Sequence, residues 1–203
     1  MPPTRRRAET LRRLHEAALA VFAAEGFGRA SVEQVCERAG FTRGAFYSNF
    51  ASLDELFLAM WAERSRALLE DLRAALAAAD TTDVRTARDL VELVDAAVGV
   101  DDAWYRVTAE FTAHALRTPG LREVVAQRED AIAGTLTPVL VSFLRRVGRA
   151  VADPRALALA LVAVHDGTTV QCLVEPDDPA ARRRRLDLFE AVVLAYTTPG
   201  GDA

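Results

Sequence analysis

The apolar residues recur at the three-and-four spacing of amphipathic helices along almost the whole chain. In the first such stretch, about residues 5–25, they share one face: Leu11, Leu14, Ala18, Val21 and Phe22. No segment shows the strict apolar–polar alternation, bounded by turn residues, that is typical of a half-buried strand. The pattern therefore predicts an all-α protein.

Capping and turn residues divide this pattern into about nine helices. Gly26 follows the first helix, Ser31 and Gln34 have capping-box spacing at the start of the second, and Gly40 ends it. Asp-Pro pairs open the last two helices, with an Asp N-cap before a Pro at the first helical position. The predicted helices span about 5–25, 31–39, 43–50, 53–79, 86–98, 103–117, 121–149, 154–174 and 179–197.

The second and third predicted helices are separated only by residues 40–42, which is the spacing of a helix-turn-helix. The second helix of such a motif can enter the major groove of DNA. In this chain that helix brings polar donors (Thr42, Arg43, Tyr47, Ser48 and Asn49) together with two small residues, Gly44 and Ala45, that allow a close approach. Arg43 carries its only charge and can pair with guanine O6 and N7. From spacing alone, a solvated amphipathic helix is an equal alternative.

The run from Ala39 to Phe50, AGFTRGAFYSNF, resembles the core signature of the tetracycline-repressor (TetR) family's DNA-binding domain. The resemblance covers about 45 residues, and the nine-helix layout extends it to the whole chain as architecture. It implies that three residues hold DNA phosphates: Thr42, Tyr47 and Asn49. It also implies that three residues face the bases: Arg43, Gly44 and Ala45. Ser31 is then expected to anchor the second helix to the DNA backbone, since a helix N-terminus favours phosphate.

The chain departs from the family pattern at three positions. Ala30 stands where a threonine is common, Cys36 replaces a small alanine, and Leu53 stands where a lysine commonly touches phosphate. The last departure puts one backbone contact in doubt. Residues 5–7, all arginine, are a possible compensating mobile arm or a solvated tail.

The charge distribution fits an anionic partner at the N-terminus. The whole chain has a net charge of −4, with no lysine, yet residues 1–50 carry +3 and residues 51–203 carry −7. We accordingly predict a helix-turn-helix DNA-binding domain over residues 1–51 and an effector-binding and dimerisation domain over residues 52–203.

In the family that the chain resembles, the last two helices pair with their mates in a dimer. The apolar run from Ala156 to Val164 fits a helix buried against its own core and a partner, and a monomeric core helix is the alternative. One helix-turn-helix reads too few base pairs alone, which also favours a homodimer on a near-palindromic operator. The run Arg182–Arg185 is expected to be a solvated face. Without an apolar stretch near 20 residues or a secretory leader, we expect a cytoplasmic protein with no membrane partner.

A small-molecule effector of unknown identity is expected to bind large or polar-tipped residues on the inner helices. The candidates are Trp61, Trp104, Phe111, His114, Phe143, His165 and Gln171. For each of them taken singly, ordinary core packing is the simpler interpretation. The aromatic groups suggest a mainly apolar, aromatic or polycyclic effector, whereas a cationic one would require carboxylates such as Glu110 or Asp166.

Catalytic and metal-binding patterns are missing from the sequence. The two cysteines, Cys36 and Cys172, form no CxxC pair, and no Gly-rich phosphate loop, GxSxG or HExxH motif occurs. His15 lies beside arginines, where solvent or a phosphate contact is expected. We therefore predict no enzyme, cofactor or metal, but a ligand-responsive transcriptional regulator, most simply a repressor. The alternative is an all-α small-molecule-binding protein or enzyme whose helix-turn-helix no longer binds DNA.

Overall fold

The computed structural model describes residues 5–79 and 84–200, and nine α-helices dominate these ranges. One short 3₁₀ helix, η1 (Phe27–Arg29), and two short strands, β1 (Arg149–Val151) and β2 (Thr197–Pro199), complete the described structure. The helices are α1 (Arg5–Glu25), α2 (Val32–Ala39), α3 (Arg43–Tyr47), α4 (Leu53–Ala78), α5 (Ala87–Val98), α6 (Asp102–Ala115), α7 (Leu121–Arg146), α8 (Pro154–Val174) and α9 (Pro179–Tyr196). The prediction of an all-α fold is confirmed.

Local capping chemistry explains where α2 and α3 begin and end. Ser31 and Gln34 form the reciprocal capping box, and Thr42 accepts a hydrogen bond from the Ala45 amide at the start of α3. Gly40 ends α2 in the left-handed conformation, with φ of 70°, which costs a residue without a side chain little. Helix α3 is shorter than predicted, since it ends at Tyr47.

The strand pair was not predicted. β1 and β2 pair antiparallel, with Ala150 opposite Thr198. Three residues are too few to produce a recognisable alternation, and the partners lie far apart in the sequence.

The first of two compact units runs to Arg64 and takes in Asp101–Val125, so it contains α1 to α3, the first part of α4, and α6. Its core is built from aromatic and aliphatic residues of all these helices. Fully buried members are Leu14, Phe22, Val35, Phe46, Leu56, Phe57, Val107 and Phe111.

Two N-terminal expectations need correction. Residues 5–7 are not a mobile arm or a tail, because α1 begins at Arg5, although their side chains are exposed. His15 is not solvated, since its side chain is 13% exposed and its Nδ1 lies 2.6 Å from the Glu63 carboxylate. Its ring lies 5.8 Å from that of Phe50.

The second unit comprises Ser65–Val100 and the chain from Ala126 onward, with α5, α8, α9 and the strand pair. Its core includes Leu90, Leu140, Phe143, Leu144, Leu157 and Phe189. The two units are defined by their compactness and not by function. The predicted boundary near residue 51, between a DNA-binding and an effector-binding domain, therefore stays a prediction.

Helix α8 is the single described helix long and apolar enough to cross a membrane by length and composition. The run from Ala156 to Val164 understated this, because apolar residues recur beyond it, at Val170, Leu173 and Val174. Five residues of α8 are buried within the chain, and its other residues are half-buried or exposed.

Candidate nucleic-acid interface and effector residues

Helix α3 presents a polar outer face on an aromatic anchor. Phe46 is fully buried, and its ring meets those of Tyr47 at 5.3 Å and Phe50 at 5.9 Å. Because Phe46 fixes the rotation of this short helix, the opposite face is exposed. That face carries the predicted DNA contacts Thr42, Arg43, Gly44, Tyr47 and Ser48, while Ser31, Ala45 and Asn49 are half-buried.

Arg43 is exposed but not isolated. Its side chain is 62% exposed, and its Nη1 lies 2.8 Å from Oε1 of Glu33 on α2. Its guanidinium also lies 5.8 Å from the centre of the Tyr47 ring. The hydrogen bond with Tyr47, and next the charge of Glu33, raise the pKa of Arg43. A base contact by Arg43 therefore requires it to exchange Glu33 for DNA.

The other polar side chains of α3 bond to its own backbone. Ser48 Oγ donates to the Ala45 carbonyl across 2.8 Å, and Asn49 Nδ2 donates to the same carbonyl across 2.8 Å and to Ser48 Oγ across 3.2 Å. Both amide protons of Asn49 are thereby used, so phosphate binding by Asn49 would require rearrangement. Thr42 accepts from the Ala45 amide, and a hydroxyl can donate to phosphate at the same time.

The small residues and the α2 N-terminus suit a close approach. A Cβ added at Gly44 would meet only Thr42 Oγ1, at 3.7 Å, so this part of α3 is open. Ser31 begins α2, where its hydroxyl accepts from the Gln34 amide. All eight predicted DNA-binding roles stay predictions.

Four of the seven candidate effector residues lie in the first unit around Phe57. The Phe57 ring stacks on Phe111 at 3.9 Å and lies 5.8 Å from Trp61 and 6.0 Å from Trp104. Phe111 is fully buried, whereas both tryptophans are partly buried. Phe111 therefore acts as core in the free protein, and the tryptophans are the more accessible of the set.

His114 and Glu110 already have protein partners. His114 Nε2 lies 3.2 Å from Oδ1 of Asp54 at the start of α4. Glu110 Oε2 accepts from the Phe27 amide across 2.6 Å. An effector that binds either side chain would have to replace its partner within the protein.

The remaining three candidates lie in the second unit. Phe143 is buried beneath the Arg146 guanidinium, which lies 4.8 Å from its ring centre. Gln171 is exposed and accepts from Arg184 Nε across 3.3 Å. His165 is half-buried and belongs to a polar network around Arg185.

Arg185 corrects the expectation that residues 182–185 are a solvated face. Its side chain is 1% exposed, and its Nε donates to Asp95 Oδ1 across 2.6 Å. Its Nη1 reaches the hydroxyls of Thr168 and Thr169 at 2.8 and 3.3 Å. Arg182, Arg183 and Arg184 are exposed as predicted. The sequence does not distinguish Arg185 from the three arginines before it. In a helix packed on one side, however, about one residue in each turn points inward.

The same network fixes the state of His165. Arg185 Nη2 lies 3.0 Å from His165 Nδ1, so Nδ1 accepts and the proton resides on Nε2. Burial, and after it the adjacent Arg185 cation, lowers the pKa of His165 to about 4, against the opposing effect of Asp95. His165 is therefore a neutral hydrogen-bond donor at physiological pH.

Helices α2 and α3 form a helix-turn-helix, and further helices follow along the chain, as in many DNA-binding regulators. The family model described as "Bacterial regulatory proteins, tetR family" matches residues 14–60, and the model described as "BetI-type transcriptional repressor, C-terminal" matches residues 84–196. The chain belongs to the TetR family of transcriptional regulators. It is accordingly a DNA-binding regulator and not an enzyme.

Individual relatives agree with this assignment. The chain is 42% identical over 60 residues to the HTH-type transcriptional regulator SrpR of Pseudomonas putida, a match that covers 30% of this chain and 28% of SrpR. A TetR-family regulator from Mesorhizobium loti has a TM-score of 0.70 at 18% identity, covering 96% of this chain and 97% of that one. The multidrug binding protein EbrR, complexed with ethidium, has a TM-score of 0.61 at 24% identity, covering 90% and 97%. These two structures support the fold.

Proposed function

We propose that the chain is a cytoplasmic repressor that binds a near-palindromic operator as a homodimer and is released by a small-molecule effector. The observation that carries the DNA-binding part is the exposed polar face of α3, held outward by the buried Phe46. The donors on that face suit phosphates and base edges.

Selection of bound DNA from a random pool tests the operator. The expected product is an enriched near-palindrome, bound with an affinity that falls steeply as salt rises, because bound phosphates release counterions. If no palindrome is enriched at low salt and without effector, the helix-turn-helix no longer reads DNA and the alternative of a small-molecule-binding protein is favoured.

The apolar outer surface of α8 and α9 supports the dimer. Few residues of α8 are fully buried within the chain, and Val174 at its end is 73% exposed. Leu188 and Leu194 on α9 are exposed as well. We infer that these residues belong to one apolar surface, which is typical of a protein or membrane contact. The polar network of Arg185 beneath α8 favours a protein partner, and a C2 dimer is the commonest symmetric solution.

Sedimentation measurements distinguish the monomer from the dimer. Leu188→Glu is expected to shift the chain toward monomer, because it places a charge in the proposed interface. Leu116→Glu is the matched control, since Leu116 is also an exposed leucine but lies at the end of α6, in the first unit. Equal association of both variants would argue against the α8–α9 interface.

For the effector, we retain the candidates of the first unit on α4 and α6, with Trp61 and Trp104 as the principal aromatic contacts. In the second unit, we retain His165 as a separate polar candidate. The neutral Nε2 donor of His165 suits a hydrogen-bond acceptor rather than a cation. The multidrug binding protein EbrR, complexed with ethidium, supports an aromatic ligand for this chain.

A thermal-shift panel of ethidium and of apolar and anionic aromatic compounds tests this, with DNA release as the second readout. A true effector must stabilise the free protein and also weaken DNA binding, because linkage makes the two effects reciprocal. If only small anions or non-aromatic cations both stabilise the free protein and weaken DNA binding, the proposal of an aromatic effector is wrong.

A further inference from the structure

Helix α6 carries three polar residues at four-residue intervals, Arg106, Glu110 and His114, which places them on one face. Each contacts a different element of the first unit. Arg106 Nη1 donates to the Ala23 carbonyl at the end of α1 across 3.3 Å, and Glu110 accepts from the Phe27 amide. His114 approaches Asp54 at the start of α4.

The two contacts near the end of α1 match the polarity of the backbone. A helix C-terminus favours a cation, and a backbone amide with no local acceptor favours an acceptor such as a carboxylate. Arg106 faces a carbonyl of the last turn of α1, and Glu110 faces the first amide of η1. Helix α6 therefore holds the junction between α1 and η1 with charges of the correct sign on both sides.

Glu110 supplies the cap that η1 lacks locally. The residue before η1 is Gly26, which has no side chain to accept a hydrogen bond. A Cβ at Gly26 would lie 2.9 Å from Glu110 Oε2, and its φ of 85° is unfavourable for other residues. The glycine thus permits both the turn and the close approach of the carboxylate.

Phe27 connects its hydrogen bond with Glu110 to the helix-turn-helix. Its ring is buried against Phe22 at 5.0 Å and Phe111 at 5.1 Å. Ser31, the cap of α2, follows only four residues later. A displacement of the Phe27 backbone is therefore expected to shift the start of α2.

We propose that Glu110 is the positioning residue through which α6 sets the helix-turn-helix in its DNA-binding arrangement, an inference that rests on the proposed function. Glu110 touches no DNA in this role. Its carboxylate acts through the backbone of Phe27, so its contribution depends on the reach of the side chain more than on its charge.

Three substitutions at Glu110 distinguish the effect of its side-chain length from the effect of its charge. Glu110→Ala removes the acceptor, Glu110→Asp keeps the charge but shortens the side chain, and Glu110→Gln keeps the length and an acceptor oxygen without the charge. Glu25→Ala is the matched control. It removes the same charge one residue from Gly26, and the Glu25 carboxylate forms no hydrogen bond or ion pair with the residues that the structure describes.

The readout is the affinity of each full-length variant for DNA that the wild-type chain selects from a random pool, at fixed salt. Glu110→Ala and Glu110→Asp are expected to bind about tenfold more weakly, because each leaves the Phe27 amide without its acceptor, a loss that costs about that factor. Glu110→Gln should lose less. Glu25→Ala should bind at least as tightly as wild type, since removing a negative charge favours a polyanion.

Hydrogen exchange of a peptide covering residues 22–31 reports the contact itself. Exchange should accelerate in Glu110→Ala and Glu110→Asp but not in Glu25→Ala, with a peptide from α9 unchanged in all. If Glu110→Ala is unstable to heat, Glu110→Gln and Glu110→Asp carry the comparison.

Two results overturn the inference while leaving the proposed function intact: equal DNA affinity of Glu110→Ala and Glu25→Ala, or better binding by Glu110→Asp than by Glu110→Gln. A wild-type chain that enriches no DNA instead overturns the proposed function, and this inference with it.

Discussion

Arg185 on α9 donates through Nε to the Asp95 carboxylate on α5 across 2.6 Å, and both side chains are buried. The same guanidinium bonds Thr168 and Thr169 on α8. One arginine therefore ties three helices of the second unit together. Burying this charge is tolerable because its donors are directed to acceptors on every side.

Asp95→Ala is expected to lower the free energy of unfolding by about 3–5 kcal/mol, because it leaves a buried cation without its counterion. Urea unfolding at pH 7 measures this. Asp187→Ala is the control, since the Asp187–Arg88 pair is exposed on the Asp187 side and such pairs contribute about 1 kcal/mol or less. Equal losses in the two variants would contradict the buried pair.

His165 makes the second unit sensitive to acid. Its pKa is about 4 in the folded chain, below the ordinary value of 6.5, so the unfolded chain binds the additional proton as the pH falls from about 6.5 to 4. The stabilisation from the neutral ring is complete above that window. It is lost on acidification, by up to about 3 kcal/mol.

The measurement is urea unfolding at pH 7 and pH 5 for the wild type and for His165→Asn. The asparagine oxygen can still accept from Arg185 but does not titrate, so the variant should lose less stability between the two pH values. An identical pH dependence in both chains would show that His165 is not the group that titrates.

Gly40 offers a test of the turn between α2 and α3. Gly40→Ala is expected to lower the free energy of unfolding by about 1–2 kcal/mol, because φ of 70° places the new Cβ in the unfavourable left-handed region. That Cβ would also lie 2.9 Å from Arg13 Nη2. Gly28→Ala is the control, since its Cβ would meet nothing within 4 Å. Comparable losses for the two alanine variants in thermal unfolding would be inconsistent with the turn geometry.

Several helix boundaries could be predicted because their signals are local, whereas α3 and α7 end earlier than predicted, at Tyr47 and Arg146. Ser31 with Gln34, Gly40, and the Asp-Pro pairs each act within one turn of the chain, so the sequence contains the complete cause. The strand pair could not be predicted. Arg149 and Thr197 meet through a side-chain hydrogen bond across 2.6 Å, but nothing in either short segment indicates its partner.

At the candidate sites too, local features could be predicted from the sequence, whereas contacts between helices could not. The exposed face of α3 follows from the position of Phe46, which helical spacing gives directly. The partners of Arg43, His114 and Glu110 depend on which helix faces which, and periodicity does not report this. For that reason the sequence identified Arg43 but not its ion pair with Glu33, and identified Glu110 as a possible effector contact rather than as a bond to Phe27.

The pairing of Arg43 with Glu33 bears on how the two exposed residues of α3 act on DNA. An exposed ion pair contributes little, so Arg43 can leave Glu33 at small cost when a guanine offers two acceptors. Tyr47, which is exposed beside Arg43, offers a single hydroxyl suited to a phosphate. Arg43 is thus expected to read the base sequence, and Tyr47 is expected to position the protein on the DNA backbone.

Arg43→Ala should weaken binding to the selected operator by about 1–3 kcal/mol and relax the preference at one base pair in each half-site. Tyr47→Phe should weaken all sequences alike, because it removes a phosphate donor. Binding to a set of single-base-pair operator variants measures both, with Arg12→Ala, an exposed arginine paired within α1, as the control for lost charge. If Arg43→Ala weakens operator and random DNA equally, Arg43 contacts the backbone, and sequence is read by other residues of the interface.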